Sequence, residues 1–179
     1  MKKIKLIFAL FFLLAFCSFA QDISKMEDEL LNSLDKNLSD ARDFGNGHTA
    51  IVNQYGDSNT GIINQFQAQY GTGGNYANLY QDGDFNTAIL YQYGNQIGTN
   101  ISQTGGDNYA DIEINGYNIN GDVNQNGLGN YIQQNISGND FDYYVVQEGN
   151  NNEFIQNATG VNSNFGITQT GDGITIIIE

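Results

Sequence analysis

The chain has no proline and no tryptophan, and its single cysteine, Cys17, lies within the first twenty residues. Cations are almost as scarce. After residue 20 only Lys25, Lys36 and Arg42 remain, and from Asp43 to Glu179 there is neither Lys nor Arg, while all 20 acidic residues lie beyond residue 20. Each absence excludes something. A phosphate-binding surface needs cations to displace counterions, and attachment to anionic lipid needs a basic patch. Residues 43–179 are therefore not expected to bind nucleic acid or lipid headgroups by charge.

The first twenty residues read as a secretion signal. Met1-Lys2-Lys3-Ile4-Lys5 is basic, Leu6 to Phe16 is apolar, and Ser18-Phe19-Ala20 offers small residues for cleavage, predicting a mature start at Gln21. The apolar run is shorter than the roughly 20 residues a membrane-spanning helix needs, so no span is expected after cleavage. Bulky Phe16 before Cys17 argues against a lipoprotein signal. The mature chain then has no cysteine, and an exported protein without disulfides needs another source of cohesion.

What is abundant is glycine, asparagine and glutamine. Composition alone would fit a disordered low-complexity tract, but the spacing is regular. Gly83, Gly94, Gly105, Gly116, Gly127, Gly138, Gly149, Gly160 and Gly171 recur every 11 residues. The series extends back through Gly71, Gly56 and Gly45, with extra residues around 66–69 and 72–74. About twelve units result, and such periodicity marks a solenoid or array. An eleven-residue helical coiled coil is rejected: a glycine in every unit costs a helix about 1 kcal/mol each time, and Ile, Val, Tyr and Asn favour strands and turns.

Inside each unit the period is two. Asn86, Ala88, Leu90 and Gln92 fall on one side, Thr87, Ile89 and Tyr91 on the other. From Gln81 onward the first set carries no charge and is predicted to face inward, with the glycine as corner. A second period lies beneath the first. Gln81, Gln103, Gln125, Gln147 and Gln169 stand 22 residues apart, as do Asn86, Asn108, Asn130 and Asn152, whereas Ile97, Ile119 and Phe141 fill the asparagine position of the alternate units. The expected fold is all-β: a solenoid of two-strand coils, about 22 residues each, stacked about 4.8 Å apart over residues 43–179. Inward amides then lie over their equivalents and form ladders, each needing its partner because an unpaired buried polar group costs about 1–3 kcal/mol.

The repeat Gln-x-Gly-x-x-Asn-x-Ala-x-x-x-Gln resembles the curlin repeat of curli, the functional amyloid of bacterial biofilms. Gln81, Gly83, Asn86, Ala88 and Gln92 fit throughout; Gln103, Gly105, Asn108 and Ala110 fit, as do Gln54, Gly56, Asn59 and Gln65. Gln125, Gly127 and Asn130 match with Ile132 for alanine, and Gln147, Gly149 and Asn152 with Phe154. The resemblance covers roughly three quarters of the chain. It implies a secreted subunit, exported unfolded through a dedicated outer-membrane pore of a Gram-negative bacterium. At the cell surface it would polymerise with itself and with a nucleator or major-subunit partner. Departures are clear: Ile114, Ile119 and Ile136 replace amides. Residues 21–42 are charged, with helical spacing of Ile23, Met26, Leu30, Leu34 and Leu38 and a capping box at Ser24 and Glu27. They read as an export segment or as a short helix leaning on the first coil.

Chemistry finds little purchase. His48, the only histidine, takes the asparagine position of the first unit, and without cysteine or a second histidine no zinc or copper site is expected. Acidic turns such as 105–108 and 171–173 lack the nine-residue period of calcium β-rolls, so no cofactor is assigned. Repetition leaves no loop for a catalytic pocket, and no enzyme is expected. From Gln81 on, no acidic residue has another 22 positions away, so stacked coils avoid aligned carboxylates. The last segment, Gly173 to Glu179, is β-prone and apolar, and Ile174, Ile176 and Ile178 form the expected polymerisation edge. Two function classes follow: a fibre subunit for biofilm matrix and adhesion, or a non-polymerising secreted solenoid acting as an adhesin.

Overall fold

The computed structural model describes residues 47–68, 73–161 and 164–179; the expected signal sequence (1–20) and leader (21–42) lie outside the described residues. Nine strands follow one another: β1 (Thr49–Tyr55), β2 (Thr60–Phe66), β3 (Tyr76–Asp82), β4 (Thr87–Gly106), β5 (Tyr109–Leu128), β6 (Tyr131–Glu148), β7 (Glu153–Val161), β8 (Asn164–Thr170) and β9 (Thr175–Ile178). All pairings are parallel. The fold is a β-solenoid of stacked two-strand coils, about five turns, as the double period predicts. The long strands β4, β5 and β6 each bend through an arc and serve both faces.

One face stacks 49–55, 76–82, 98–104, 120–126, 142–148 and 164–170; the other stacks 60–66, 87–93, 109–115, 131–137, 153–159 and 175–178. Each step is 22 residues, with Gln81 opposite Gln103 and Gln103 opposite Gln125. The first step differs. Thr49 pairs with Tyr76 and Thr60 with Thr87, a displacement of 27, and the extra residues fall between Phe66 and Tyr76.

Alternation of side chains decides what is buried. Ala88, Leu90 and Gln92 are buried while Thr87, Ile89 and Tyr91 are half-buried on the outside. The apolar core runs through Leu79, Leu90, Ile97, Ile101, Ile112, Ile114, Ile119, Ile132, Ile136, Phe141 and Phe154. Each such side chain contributes about 1.5–3 kcal/mol of burial. Among the described residues, as many polar side chains as apolar ones are buried. An interior of that kind is stable only if its amides are bonded.

The arcs explain the glycines in two ways. Gly105 has φ 106°, a left-handed backbone that other L-residues adopt at a cost. A Cβ built there would also overlap the carbonyl oxygen of Gly127 one level on, so the arcs approach too closely for any side chain. The same overlap recurs from Gly83 to Gly105 and from Gly127 to Gly149. The second left-handed position of this arc is less selective: Ser58, Phe85, Asp107, Gly129, Asn151 and Gly173 occupy it.

Candidate functional site

The glutamine ladder forms as its spacing predicts. Gln54 Nε2 donates to Gln81 Oε1 (2.6 Å), Gln81 to Gln103 (2.7 Å), Gln103 to Gln125 (2.8 Å), Gln125 to Gln147 (2.9 Å) and Gln147 to Gln169 (2.8 Å). Every bond has the same sense, with the donor on the earlier level. From Gln81 to Gln169 the amide nitrogen also donates across the core to a backbone carbonyl on the opposite face, as from Gln103 to Thr87 O and from Gln125 to Tyr109 O. The ladder thus binds levels to one another and also ties the two faces together.

The asparagines do something different from a plain amide stack. Asn86 Oδ1 accepts the backbone N–H of Asn108, and Asn108 Oδ1 accepts that of Asn130. Their Nδ2 groups donate to the glycine carbonyl of the next arc: Asn59 to Gly83, Asn86 to Gly105, Asn108 to Gly127, Asn130 to Gly149 and Asn152 to Gly171. Asparagine is therefore the clasp of the arc, saturating backbone groups that the turn leaves unpaired. Side-chain to side-chain contacts, such as Asn130 Nδ2 to Asn108 Oδ1 (3.0 Å), accompany this. His48 plays the same part in the alternate arc, its Nδ1 accepting the N–H of Asn75 at 2.9 Å.

On the opposite face Gln65 donates to Gln92 (2.8 Å), but the column stops there because Ile114 follows. Gln92 ends on Thr99 Oγ1 instead, at 2.9 Å. A further pair was not foreseen: Gln134 donates to Gln156 (3.0 Å) at the level positions of Leu90 and Ile112. Their separation of 22 residues was the available signal, masked by apolar residues at the equivalent earlier positions. Gln134 Oε1, Asn95 Oδ1 and the Tyr143 hydroxyl are buried without a hydrogen-bond partner. Burial pushes the Tyr143 phenol well above its ordinary pKa, with Asp122 adding to the effect. Thr99 approaches it, but not with the geometry of a hydrogen bond. The ring fills space that Gly121 leaves open and stacks on Phe165.

No family model and no curated protein matches the chain.

Outside, acids alternate with donors along the stack. Asn100 donates to Asp122 (2.7 Å), Asn118 to Asp140 (2.6 Å), Asn120 to Asp142 (3.0 Å), and Asn135 to Glu113 (3.0 Å). Aligned carboxylates are absent from the 22-residue steps beyond Gln81, as the sequence predicts. The 27-residue step breaks the rule: Asp84 Oδ1 accepts the N–H of Asp57, so these two acids stand in line. Rings also stack, Tyr109 on Tyr131 and Phe66 on Tyr93.

Both terminal levels are paired on one side only among the described residues: β1 with β3, β2 with β4, β8 with β6 and β9 with β7. Their inward apolar residues are correspondingly half-buried: Val52 and Ile63 at one end, Phe165, Ile167 and Ile176 at the other. Ile174 and Ile176 line up with Asn152 and Phe154, and Ile178 with Gln156, so the expected edge continues the interior columns. Among the described residues no cluster of His, Cys, Asp or Glu has the form of a metal site.

Proposed function

We propose that this chain is a secreted structural subunit that assembles end to end into extracellular, curli-like amyloid fibres, serving matrix cohesion and adhesion. The observation that carries this reading is that, among the described residues, the strands of both terminal levels are paired on one side only. Among the described residues each leaves one strand edge unpaired and its inward apolar residues half-buried, in register with the interior, and at the first level Gln54 Oε1 has no donor. Such edges are what soluble β-proteins normally cover, and solenoids normally close them with polar caps. A stacked copy would satisfy all three features at once.

The working surface on this reading is the stack itself, and the chain is not an enzyme. Export through an outer-membrane pore of a Gram-negative cell, and a nucleator or major-subunit partner, belong to the same proposal through the curlin-like repeat. Incubation of the chain from Gln21 at micromolar concentration tests it. The expected outcome is thioflavin-positive fibres with a cross-β diffraction pattern near 4.8 and 10 Å. A monomer that stays soluble for days, without fibre diffraction, would instead identify a non-polymerising adhesin.

A further inference from the structure

The contact between copies, on the fibre reading above, differs chemically from every step inside the subunit. Extending the internal register by one level lays 164–170 of one copy over 49–55 of the next, and 175–178 over 60–63. Gln169 then meets Gln54, Phe165 meets Ala50, Ile167 meets Val52 and Ile176 meets Gly61. Large residues face small ones at two of these positions, and all three apolar pairs join the inward columns of the core.

The amide ladder selects the polarity. All five bonds run donor to acceptor from earlier to later level. Gln54 uses its Nε2 on Gln81, and among the described residues nothing donates to its Oε1. Gln169 sends its protons to Glu153 O and Ile174 O. Ile174 O also accepts the N–H of Glu153, so it stays bonded if Gln169 turns to a new partner. A head-to-tail contact supplies Gln54 with that missing donor. Two first levels facing each other would set acceptor against acceptor.

Two features weaken this junction relative to internal steps. Ile174 stands where the clasp asparagine stands on other levels, so it offers neither an acceptor to Asn59 N–H nor a donor to Gly56 O. Asp172 falls in line with Asp57, which is already in line with Asp84. Three carboxylates then stand at successive levels, about 4.8 Å apart. Asp82 and Asp107 near Asp84, and Glu148 beside the preceding arc, add the same sign, and no Lys or Arg occurs from Asp43 to Glu179 to offset them.

We infer that copies join head to tail in one register, Gln169 of one copy donating to Gln54 of the next, with Asp172 against Asp57 as the charge-sensitive contact. Subunit addition is then the weakest step of the stack, and carboxylate charge at one arc governs it.

Two experiments test this with the cysteine-free chain from Gln21. For register, Asn53→Cys is combined with Thr168→Cys; both positions are exposed and would lie opposite across the junction, within disulfide reach. Oxidised fibres of this double variant should give a ladder of covalent multimers, whereas Asn53→Cys with Thr170→Cys, displaced by two residues, should not. Multimers from the displaced pair, or covalent dimers from Asn53→Cys alone, would overturn the register. Fibres without any cross-link would overturn it while leaving the fibre reading standing; no fibres from the unaltered chain would sink both.

For the charge contact, seeded elongation is compared at pH 7 and low salt. Asp172→Asn and Asp57→Asn should each elongate on the order of three- to ten-fold faster than the unaltered chain, a gain that shrinks at pH 4 or in added salt. Asp111→Asn, away from the junction, should elongate at the unaltered rate. Equal acceleration by Asp111→Asn would show that net charge alone matters and overturn the localised contact.

Discussion

At the scale of the single residue, Gln125 shows how an amide becomes core. It accepts from Gln103, donates to Gln147 and donates again to Tyr109 O across the interior, with no exposed surface. Gln125→Leu keeps size and apolar fit but strands a donor on Gln103 and an acceptor on Gln147. The expected loss is about 2–4 kcal/mol, read from the urea midpoint of freshly dissolved monomer. Tyr143 presents the opposite case, a buried hydroxyl without a partner. Tyr143→Phe should hold or raise stability, by up to about 1–3 kcal/mol. Its pH dependence has a definite sign. Folding raises the phenol's pKa above its ordinary value of 10.0, so its neutral form keeps full stability below about pH 10 and loses it as pH climbs beyond. Tyr143→Phe should flatten that alkaline loss, measured by thermal melts between pH 8 and 11.

Strand and arc make the next scale, and the arc is the more demanding of the two. Strands accept Leu90, Ile112, Gln134 or Gln156 at one stacked position, because any inward side chain of moderate size finds its own kind or an apolar neighbour. The first arc glycine accepts nothing else. Gly105→Ala should destabilise by about 1–3 kcal/mol or more, since its Cβ meets the Gly127 carbonyl and its φ is left-handed. Gly106→Ala, next along the chain, has a nearest contact at 3.3 Å and no left-handed φ. It should stay within about 0.5 kcal/mol of the parent. Denaturation of the pair side by side checks the distinction. The arcs also explain why asparagine recurs with glycine. The clasp needs a short amide whose oxygen and nitrogen reach backbone groups one level away, and a glutamine would overshoot.

For the whole molecule, the terminal levels matter most. If β9 is one side of the joining surface, removing Gly173–Glu179 exposes Phe154 and Gln156 and deletes the Ile176 and Ile178 contacts. Fibre growth followed by thioflavin should slow at least several-fold, and unchanged growth would separate assembly from this edge. The first level is the less buried end: Gln54 is exposed there, whereas Gln169 is 1% exposed at the other. Among the described residues the stack is thus polar along its axis, with Gln54 exposed on its first level and Gln169 covered on its last.

Much of this could be read without coordinates. Two periods, 11 and 22, were enough to place Gln81, Gln103, Gln125, Gln147 and Gln169 in one column and to turn their side of each strand inward, because an in-register parallel stack maps sequence spacing directly onto space. The same spacing foretold that acids would not align beyond Gln81. Only the tertiary structure decided what each amide does with its hydrogen bonds. Asn86 and its equivalents serve the backbone of the arcs, Gln92 turns to Thr99, and Gln134 finds Gln156. Those choices depend on distances of a few tenths of an ångström between levels, which a repeat period does not carry. It also decided that the 27-residue step keeps register and sets Asp57 over Asp84, because the strands on either side of residues 67–75 pair as directly as those of the 22-residue steps.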